Sequence, residues 1–204
     1  MLLKQNRKEI EDFWRAVVGI ENDEICRLLV GKSYFYTLER GEYILQQNEK
    51  VTELPMLYSG VVKCFRYDQR EEEFIRNFYY RKGEMMILLH ELMKDGKSEF
   101  HLMALTKCRI LSVQSDFMQQ LVELYPTILH GYMRLMAERE AEMNDRLQIM
   151  RYAKAADRVK WFYDKYAELA RRVMKKDIAA FLMLKPETFS RSRNELRRQK
   201  EQKL

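Results

Sequence analysis

The spacing of apolar side chains changes twice along the chain. From Lys8 to Leu29 they recur every three or four positions, which is typical of amphipathic helices, and Asn22 with Asp23 indicates a new helix start. From Ser33 to Val113 they alternate with polar residues, as in half-buried strands. After Pro126 the helical spacing returns. The pattern therefore predicts two short helices, a β-rich segment and a helical C-terminal part.

The β-rich segment is interrupted by turn signals at intervals of about ten residues, among them Gly41, Gly60, Gly83 and Gly96. Such short strands with regular turns are typical of an antiparallel roll or barrel. We therefore predict an α+β protein, in which an N-terminal antiparallel β-roll with flanking helices precedes helical elements. Aromatic side chains are frequent in this segment and serve cross-strand packing or, alternatively, line a pocket for an apolar effector.

Apolar residues recur seven positions apart after Pro126, which predicts one long helix from Pro126 to about Tyr152. Such a repeat favours pairing with a second copy of the chain across a two-fold axis. The alternative is a helix that packs on its own roll. Glu140 interrupts the apolar series, and methionines make it adaptable. The predicted dimer interface consists of Leu129, Met133, Met136, Glu140, Met143, Leu147 and Met150.

The last fifty residues are also helical by pattern. A first stretch runs from Ala155 to Leu169, and Ile178, Ala179 and Leu182 mark a further helix. Met183 to Lys185 form a three-residue break, and the following proline, Pro186, is well suited to the first position of a helix. Two helices around so tight a turn predict a helix-turn-helix.

In the second of these helices, Phe189 and Leu196 are seven positions apart and are expected to face the first helix. Polar and charged residues occupy the opposite side, where arginine and glutamate have the chemistry to contact base edges. The candidate DNA-binding residues are Lys175, Lys176, Glu187, Thr188, Ser190, Arg191, Asn194 and Arg198.

The charge distribution supports a polyanionic partner. The chain has a formal net charge of +6, but residues 151 to 204 alone carry 16 Lys and Arg against 7 Asp and Glu. The first 150 residues therefore carry a small negative excess. This asymmetry indicates a basic segment that meets nucleic acid or an anionic membrane surface. A protein-interaction module with a merely solvated basic tail is the alternative.

Several classes of protein are not expected. The longest apolar run, Met85 to Leu89, is far shorter than the roughly 20 residues of a membrane span, and the N-terminus is too charged for a signal peptide. The three cysteines lack the spacing of a disulfide framework, a zinc module or an iron–sulfur site. No serine or histidine lies in a catalytic motif. We expect a cytoplasmic protein with no enzymatic activity, cofactor or metal.

The helix-turn-helix carries a specific resemblance. The segment DIAAFLMLKPETFSRSRNEL is similar to the corresponding motif of the cyclic-AMP receptor protein and fumarate–nitrate regulator (Crp/Fnr) superfamily, whose recognition helix opens with Glu-Thr-apolar-Ser-Arg. The order of elements also resembles that family, in its short type without a terminal β-wing. The resemblance implies a homodimeric transcription regulator in which Glu187 and Arg191 read a TTGA-like inverted repeat. It also implies RNA polymerase as a further partner.

Three features depart from the resembled family. Met183 occupies the turn position where the family usually has glycine, so we expect a left-handed residue there to be strained and the turn to be distorted. Pro186 replaces a polar residue often found at the start of the recognition helix, which removes one phosphate or base contact. In the roll, Gly83-Glu84 is present, but Ile87-Leu88 replaces a second Gly-Glu pair and Ser98-Glu99-Phe100 replaces the arginine run that binds the cyclic phosphate. A phosphate requires a fixed cation, so we expect that cyclic AMP does not bind.

The predicted domains are a cyclic-nucleotide-binding-like sensor roll over residues 1–125, the dimerisation helix over 126–152 and the helix-turn-helix domain over 153–204. The partners predicted are double-stranded DNA, a second copy of the chain and an unknown small-molecule effector, with no membrane. A haem-sensing or small-molecule-sensing member of the same architecture is the alternative, with His90 or His101 and Cys108 as candidate haem ligands.

Overall fold

A computed structural model describes residues 2–67, 69, 73–87, 96–152 and 154–201. The chain packs into two units that are discontinuous in sequence. One comprises Met1–Cys64 with Phe78–Glu138, and the other Phe65–Asn77 with Arg139–Leu204. These limits differ from the three predicted domains, whose boundaries stay a prediction.

The first unit begins with α1 (Leu2–Asp12), a π-helix (Phe13–Val18) and α2 (Asp23–Lys32). Asn22 caps α2, because its side-chain oxygen accepts hydrogen bonds from the backbone N–H groups of Glu24 and Ile25 at 2.8 and 3.1 Å. The predicted helix restart at Asn22 is confirmed. The π-helix was not predicted, since its residues have ordinary helical spacing.

Seven strands follow in two sheets. The strands are β1 (Ser33–Leu38), β2 (Tyr43–Leu45), β3 (Glu53–Ser59), β4 (Val62–Tyr67), β5 (Glu73–Tyr79), β6 (His101–Ala104) and β7 (Cys108–Gln114). One sheet has the order β1-β7-β3 and the other the order β2-β6-β4-β5. Strand β7 is antiparallel to both of its neighbours, so Leu111 lies opposite Phe35 and Met56. The predicted α+β class with an antiparallel roll is confirmed.

The central strand of the β1-β7-β3 sheet, β7, is buried on both faces, and the helices α1 and α2 pack against this sheet. Ile110 and Leu111, which point to opposite faces of β7, are both fully buried. Trp14 of the π-helix donates a hydrogen bond from Nε1 to Ser33 Oγ at 3.1 Å, which fixes the helical layer on β1.

Two helices complete the central part of the chain. Helix α3 (Ser115–Leu124) follows β7 directly and was not predicted. Helix α4 (Ile128–Tyr152) agrees with the predicted long helix except that it begins two residues after Pro126. Arg134 of α4 donates hydrogen bonds to the carbonyl oxygens of Val17 and Val18 at 3.4 and 3.2 Å, which ties the first part of α4 to the π-helix.

The second unit contains α5 (Ala155–Lys165), a 3₁₀ turn (Leu169–Arg171), α6 (Lys175–Phe181) and α7 (Pro186–Glu201). The helix predicted from Ala155 to Leu169 thus ends earlier, at Lys165. An aromatic cluster forms the core of this unit, in which the ring of Phe162 lies 5.2 Å from Tyr166 and 5.5 Å from Phe181. Helix α7 packs against both α5 and α6.

Arg146 of α4 joins three segments of the second unit. Its guanidinium donates to the carbonyl oxygens of Ile75 at 2.9 Å and Phe181 at 2.6 Å, and also to that of Arg76. The charge lies 3.9 Å from the ring centre of Phe181. Burial lowers the pKa of Arg146 to about 10, below the usual range for arginine. The β5 backbone, α4 and the end of α6 therefore share one buried cation.

Candidate nucleic-acid interface

The turn between α6 and α7 keeps the left-handed residue that this motif requires. Met183 has a φ of 52°, and its side chain is 54% exposed. The N–H of Met183 donates to Ala180 O and the N–H of Leu184 to Ala179 O, at 3.1 and 2.9 Å. This pair of bonds is the Schellman termination that usually has glycine at its left-handed position. The strain expected at Met183 is therefore present, and the turn is not distorted.

Helix α7 begins at Pro186, as predicted, and is 16 residues long. Phe189 is 3% exposed against the rest of the unit, and Leu196 is half-buried on the same side. Ser192 is also buried. These contacts fix which side of α7 faces solvent, and its first two turns present the polar side.

The eight predicted DNA-binding residues lie on this exposed side of α7 and at the start of α6. Seven are exposed and Thr188 is half-buried. Lys175 and Lys176 occupy the first turn of α6, and Glu187 the first turn of α7. The exposed members are Lys175, Lys176, Glu187, Ser190, Arg191, Asn194 and Arg198.

Five exposed side chains on the polar side of α7 are available to a partner outside the described part of the chain. In the described part of the chain, no side-chain hydrogen bond or ion pair involves Glu187, Ser190, Arg191, Asn194 or Arg198. Arg191 and Glu187 are four positions apart, so their side chains share one helical face. Arginine and glutamate held on one rigid face have the geometry to meet a base pair in the major groove.

One further exposed cation belongs to the same surface. Lys185 directly precedes α7 and is exposed. Its backbone carbonyl accepts the N–H of Phe189 at 3.0 Å, which places it at the entry to the helix. Lys185 was not among the predicted DNA contacts because it lies in the predicted break between the two helices. Its position before a helix N-terminus is the signal that could have identified it.

The residues predicted for the dimer interface form an unpaired stripe along α4. Met133, Met143 and Leu147 are 64%, 42% and 62% exposed, and Glu140 is exposed too. Leu129, Met136 and Met150 are half-buried. Large apolar side chains at this spacing on one helix are unusual for a surface without a partner.

Glu84 and Ser98, two residues of the roll singled out by the family resemblance, are engaged in hydrogen bonds within the roll. Glu84 accepts hydrogen bonds from the backbone N–H groups of Tyr80 and Arg81 and pairs with the Arg81 guanidinium at 3.0 Å. Burial raises the pKa of this carboxyl group. Ser98 is buried, and its hydroxyl donates to Phe100 O at 2.7 Å. Leu88, named above in the same comparison, lies outside the described residues.

The candidate haem ligands are not brought together as a described site. His90 lies outside the described residues. His101 accepts the N–H of Gln47 at its Nδ1 atom, at 3.2 Å, and burial lowers its pKa. Cys108 is buried, is not part of a disulfide, and its thiol donates to Val61 O. Among the described residues, no group of three or more His, Cys, Asp or Glu side chains is arranged to hold a metal ion.

No helix in the described ranges has the length and apolar character needed to span a membrane.

Comparison with known proteins identifies the roll. Residues 36–125 match the model of the cyclic nucleotide-binding domain family. These residues include all strands from β2 to β7 and the whole of α3. No protein with a curated description matches the sequence.

Solved structures extend the similarity to most of the chain. The c-di-GMP-responsive global regulator CLP from Xanthomonas campestris superposes with a TM-score of 0.74 at 14% identity, over 87% of this chain and 93% of that chain. FixK2 from Bradyrhizobium japonicum gives a TM-score of 0.69 at 16% identity, over 82% and 85%. A chain from Eubacterium rectale assigned to the Crp/Fnr family of transcriptional regulators gives 0.73 at 15% identity, over 87% and 84%.

These matches span both the roll and the C-terminal helices. Residues 36–125 are thus similar to the cyclic nucleotide-binding domain, and the chain shares its fold with these solved regulators, one of which is assigned to the Crp/Fnr family.

Proposed function

We propose that this protein is a homodimeric, DNA-binding transcription regulator of the Crp/Fnr type. The observation that carries the proposal is the exposed polar side of α7. It presents Glu187, Arg191 and Asn194, which have no side-chain partner among the described residues, and the exposed lysines Lys175 and Lys176 lie in the first turn of α6. A basic segment that served only for solubility would not require an arginine and a glutamate to be held on one face of a packed helix.

Two copies of the chain are required for the proposed DNA site. The apolar stripe of α4, with Met133, Met143 and Leu147 exposed, is suited to pair with the same stripe of a second copy. A two-fold dimer places two recognition helices about one helical turn of DNA apart. The operator is then an inverted repeat, TTGA-like in each half if Glu187 and Arg191 act as in the resembled family.

In this proposal, base readout and phosphate contact are divided among the residues. Arg191 donates two hydrogen bonds to guanine O6 and N7, and Glu187 accepts from the cytosine amino group of the same or a neighbouring pair. Lys175, Lys176 and Arg198 are proposed to contact phosphates. Lys185 adds a further cation beside the first turn of α7.

The roll in this proposal does not use cyclic AMP. Glu84 and Ser98 are both engaged in local hydrogen bonds, and the phosphate-binding arginine of the resembled family has no counterpart at Ser98-Glu99. The roll would instead sense a different small molecule and transmit its presence through α4. RNA polymerase is proposed as the partner on promoter DNA, and no catalytic activity is proposed.

Selection of bound sequences from a random double-stranded DNA pool tests the proposal. The expected result is an inverted repeat, bound with an affinity that falls steeply with salt because several phosphate contacts release counterions. A solvated basic tail would yield no enriched sequence. Recovery of a single asymmetric site would contradict the dimeric arrangement.

A further inference from the structure

An apolar cavity lies in the first unit, where the π-helix, β3, the segment at Met85, α3 and α4 meet. Its volume is about 120 Å³. It is lined by Trp14 and Val18 of the π-helix, Leu54 of β3, Met118 and Val122 of α3, and Leu135 of α4, among others. None of the residues that line it is charged. The hydroxyl group of Ser115, at its edge, already donates to Thr52 O at 3.0 Å.

The cavity is suited in size and chemistry to one small apolar molecule. An enclosed space of about 150 Å³ lined by aliphatic and aromatic side chains stays dry and binds benzene in a well-studied engineered case. Polar ligands would lose their hydrogen bonds with water there without replacement. A single aromatic ring or a short hydrocarbon therefore fits this space better than a nucleotide.

The walls of the cavity include the segment that holds α4 in place. The π-helix is a rare element that is frequently found at functional sites. Its last two carbonyl groups, Val17 and Val18, accept hydrogen bonds from Arg134 of α4. Gly131 brings α4 so close that a Cβ atom there would lie 2.7 Å from Val18 O. A molecule bound between Trp14 and Leu135 would therefore affect the contact between the π-helix and α4.

We propose that this cavity is a binding site for a small, uncharged, apolar molecule such as a monocyclic aromatic compound. The proposal rests on the proposed function only in calling such a molecule an effector, since α4 leads to the DNA-binding helices. Binding itself is independent of DNA. Met133 and Leu147 of the apolar stripe proposed for dimerisation are not among the residues that line the cavity, whereas Leu129 belongs to both, so the two surfaces adjoin at the start of α4.

Benzene is the probe for the first experiment. The chain has two tryptophans, so the Trp161→Phe variant leaves Trp14 as the only one. Titration with benzene is expected to give a saturable change in Trp14 emission and, near saturation, a rise in melting temperature of about 2 to 4 °C. Pyridine has the same ring with one hydrogen-bond acceptor and is expected to bind at least tenfold more weakly. Equal binding of pyridine, or no saturable change with benzene, would overturn the proposal.

Filling the cavity provides the second experiment. Val122→Phe should weaken benzene binding at least tenfold, whereas Val173→Phe, the same change at a half-buried position of the second unit, should leave it unchanged. Val122→Met fills less of the cavity and should weaken binding about threefold, which covers the case in which the phenylalanine variant fails to fold. Unaltered affinity in a folded Val122 variant would place benzene elsewhere and overturn the assignment.

The dimer provides the last comparison. Benzene should bind the dimer and a monomeric α4 variant with affinities within a factor of about three. If it binds only the monomeric variant, the second copy covers the cavity, and the site is part of an interface instead of a ligand site.

Discussion

The polar side chains of the roll and those of α7 differ in whether they are already hydrogen-bonded within the protein. In the roll, Glu84 is half-buried and accepts backbone and guanidinium hydrogen bonds from its own turn, and the hydroxyl group of Ser98 donates a hydrogen bond to Phe100 O. On α7, Glu187 and Arg191 are exposed and have no partner in the described part of the chain. Both regions contain residues able to bind charged groups, but among these described residues only those on α7 are available to an external ligand.

This comparison indicates where an external ligand can bind. A buried polar group that is already satisfied offers little to a ligand, because binding must first break its existing hydrogen bonds. A rigid exposed face loses only hydration when it meets DNA, and the released counterions favour association. The roll retains the architecture of a nucleotide-binding domain, but its described polar groups stabilise the roll itself.

The largest expected effect concerns assembly. Met143→Glu together with Leu147→Glu places two charges per chain in the α4 stripe, and desolvating them in a dimer would cost several kcal/mol. Both side chains are exposed in the single chain, so its fold should be retained. Analytical ultracentrifugation should show a monomer that has lost specific DNA binding. Asn144→Glu with Gln148→Glu, at exposed polar positions of the same helix, is the control. A persistent dimer in the first variant would mean that the stripe is not the interface.

The second effect concerns the buried cation of the C-terminal unit. Arg146→Ala leaves the carbonyl groups of Ile75 and Phe181 without their donor, and each buried unsatisfied group costs about 1 to 3 kcal/mol. We expect a loss of about 2 to 5 kcal/mol in urea unfolding followed by Trp161 emission. Gln148→Ala on the exposed side should change the stability by less than about 0.5 kcal/mol. Equal stability of the two variants would show that the network does not hold the unit together.

A substitution in the turn before α7 is expected to have a smaller effect on stability, and a stabilising one. Met183→Gly removes the strain of a left-handed residue, and we expect a gain of about 1 kcal/mol in unfolding free energy. Met183→Ala truncates the same side chain but keeps Cβ, so it should give no such gain. Thermal unfolding of both variants measures the difference. A gain in the alanine variant equal to that in the glycine variant would assign the effect to the side chain instead of the backbone.

Cyclic nucleotides are expected to have no effect. A ligand at 100 times its dissociation constant adds about 2.7 kcal/mol to stability, which a thermal unfolding curve detects easily. Millimolar cyclic AMP or cyclic GMP should leave the melting temperature unchanged. A clear rise with either nucleotide would show that the hydrogen bonds of Glu84 and Ser98 open to admit a phosphate.

Periodicity and turn residues predicted the main elements of the fold. The cap at Asn22, the long α4 and the start of α7 at Pro186 each follow from local chemistry that the sequence displays. The π-helix and α3 were missed because the first differs from an α-helix only in hydrogen-bond register and the second follows β7 without a turn signal. Such features depend on packing with distant residues.

The exposed face of α7 could also be predicted from local sequence, whereas the buried hydrogen bonds of Arg146 could not. The face of α7 follows from helical spacing around Phe189, which local sequence fixes. Arg146, in contrast, lies on a helix rich in charged residues, and nothing in its neighbours indicates that it alone is buried against Ile75 and Phe181. Its role arises from contacts 71 and 35 residues away in sequence.

The most direct test of base reading compares two arginines of α7. On the selected inverted repeat, Arg191→Ala should cost about 1 to 3 kcal/mol of binding and relax the preference at one guanine. Arg198→Ala, if it touches a phosphate, should weaken all sequences alike and lower the salt slope by about 0.9. The measurement is binding of each variant to the operator and to all single-base substitutions of it. If Arg191→Ala weakens every sequence equally and leaves the preference intact, α7 lies on the phosphate backbone and the assignment of Arg191 to base reading is wrong.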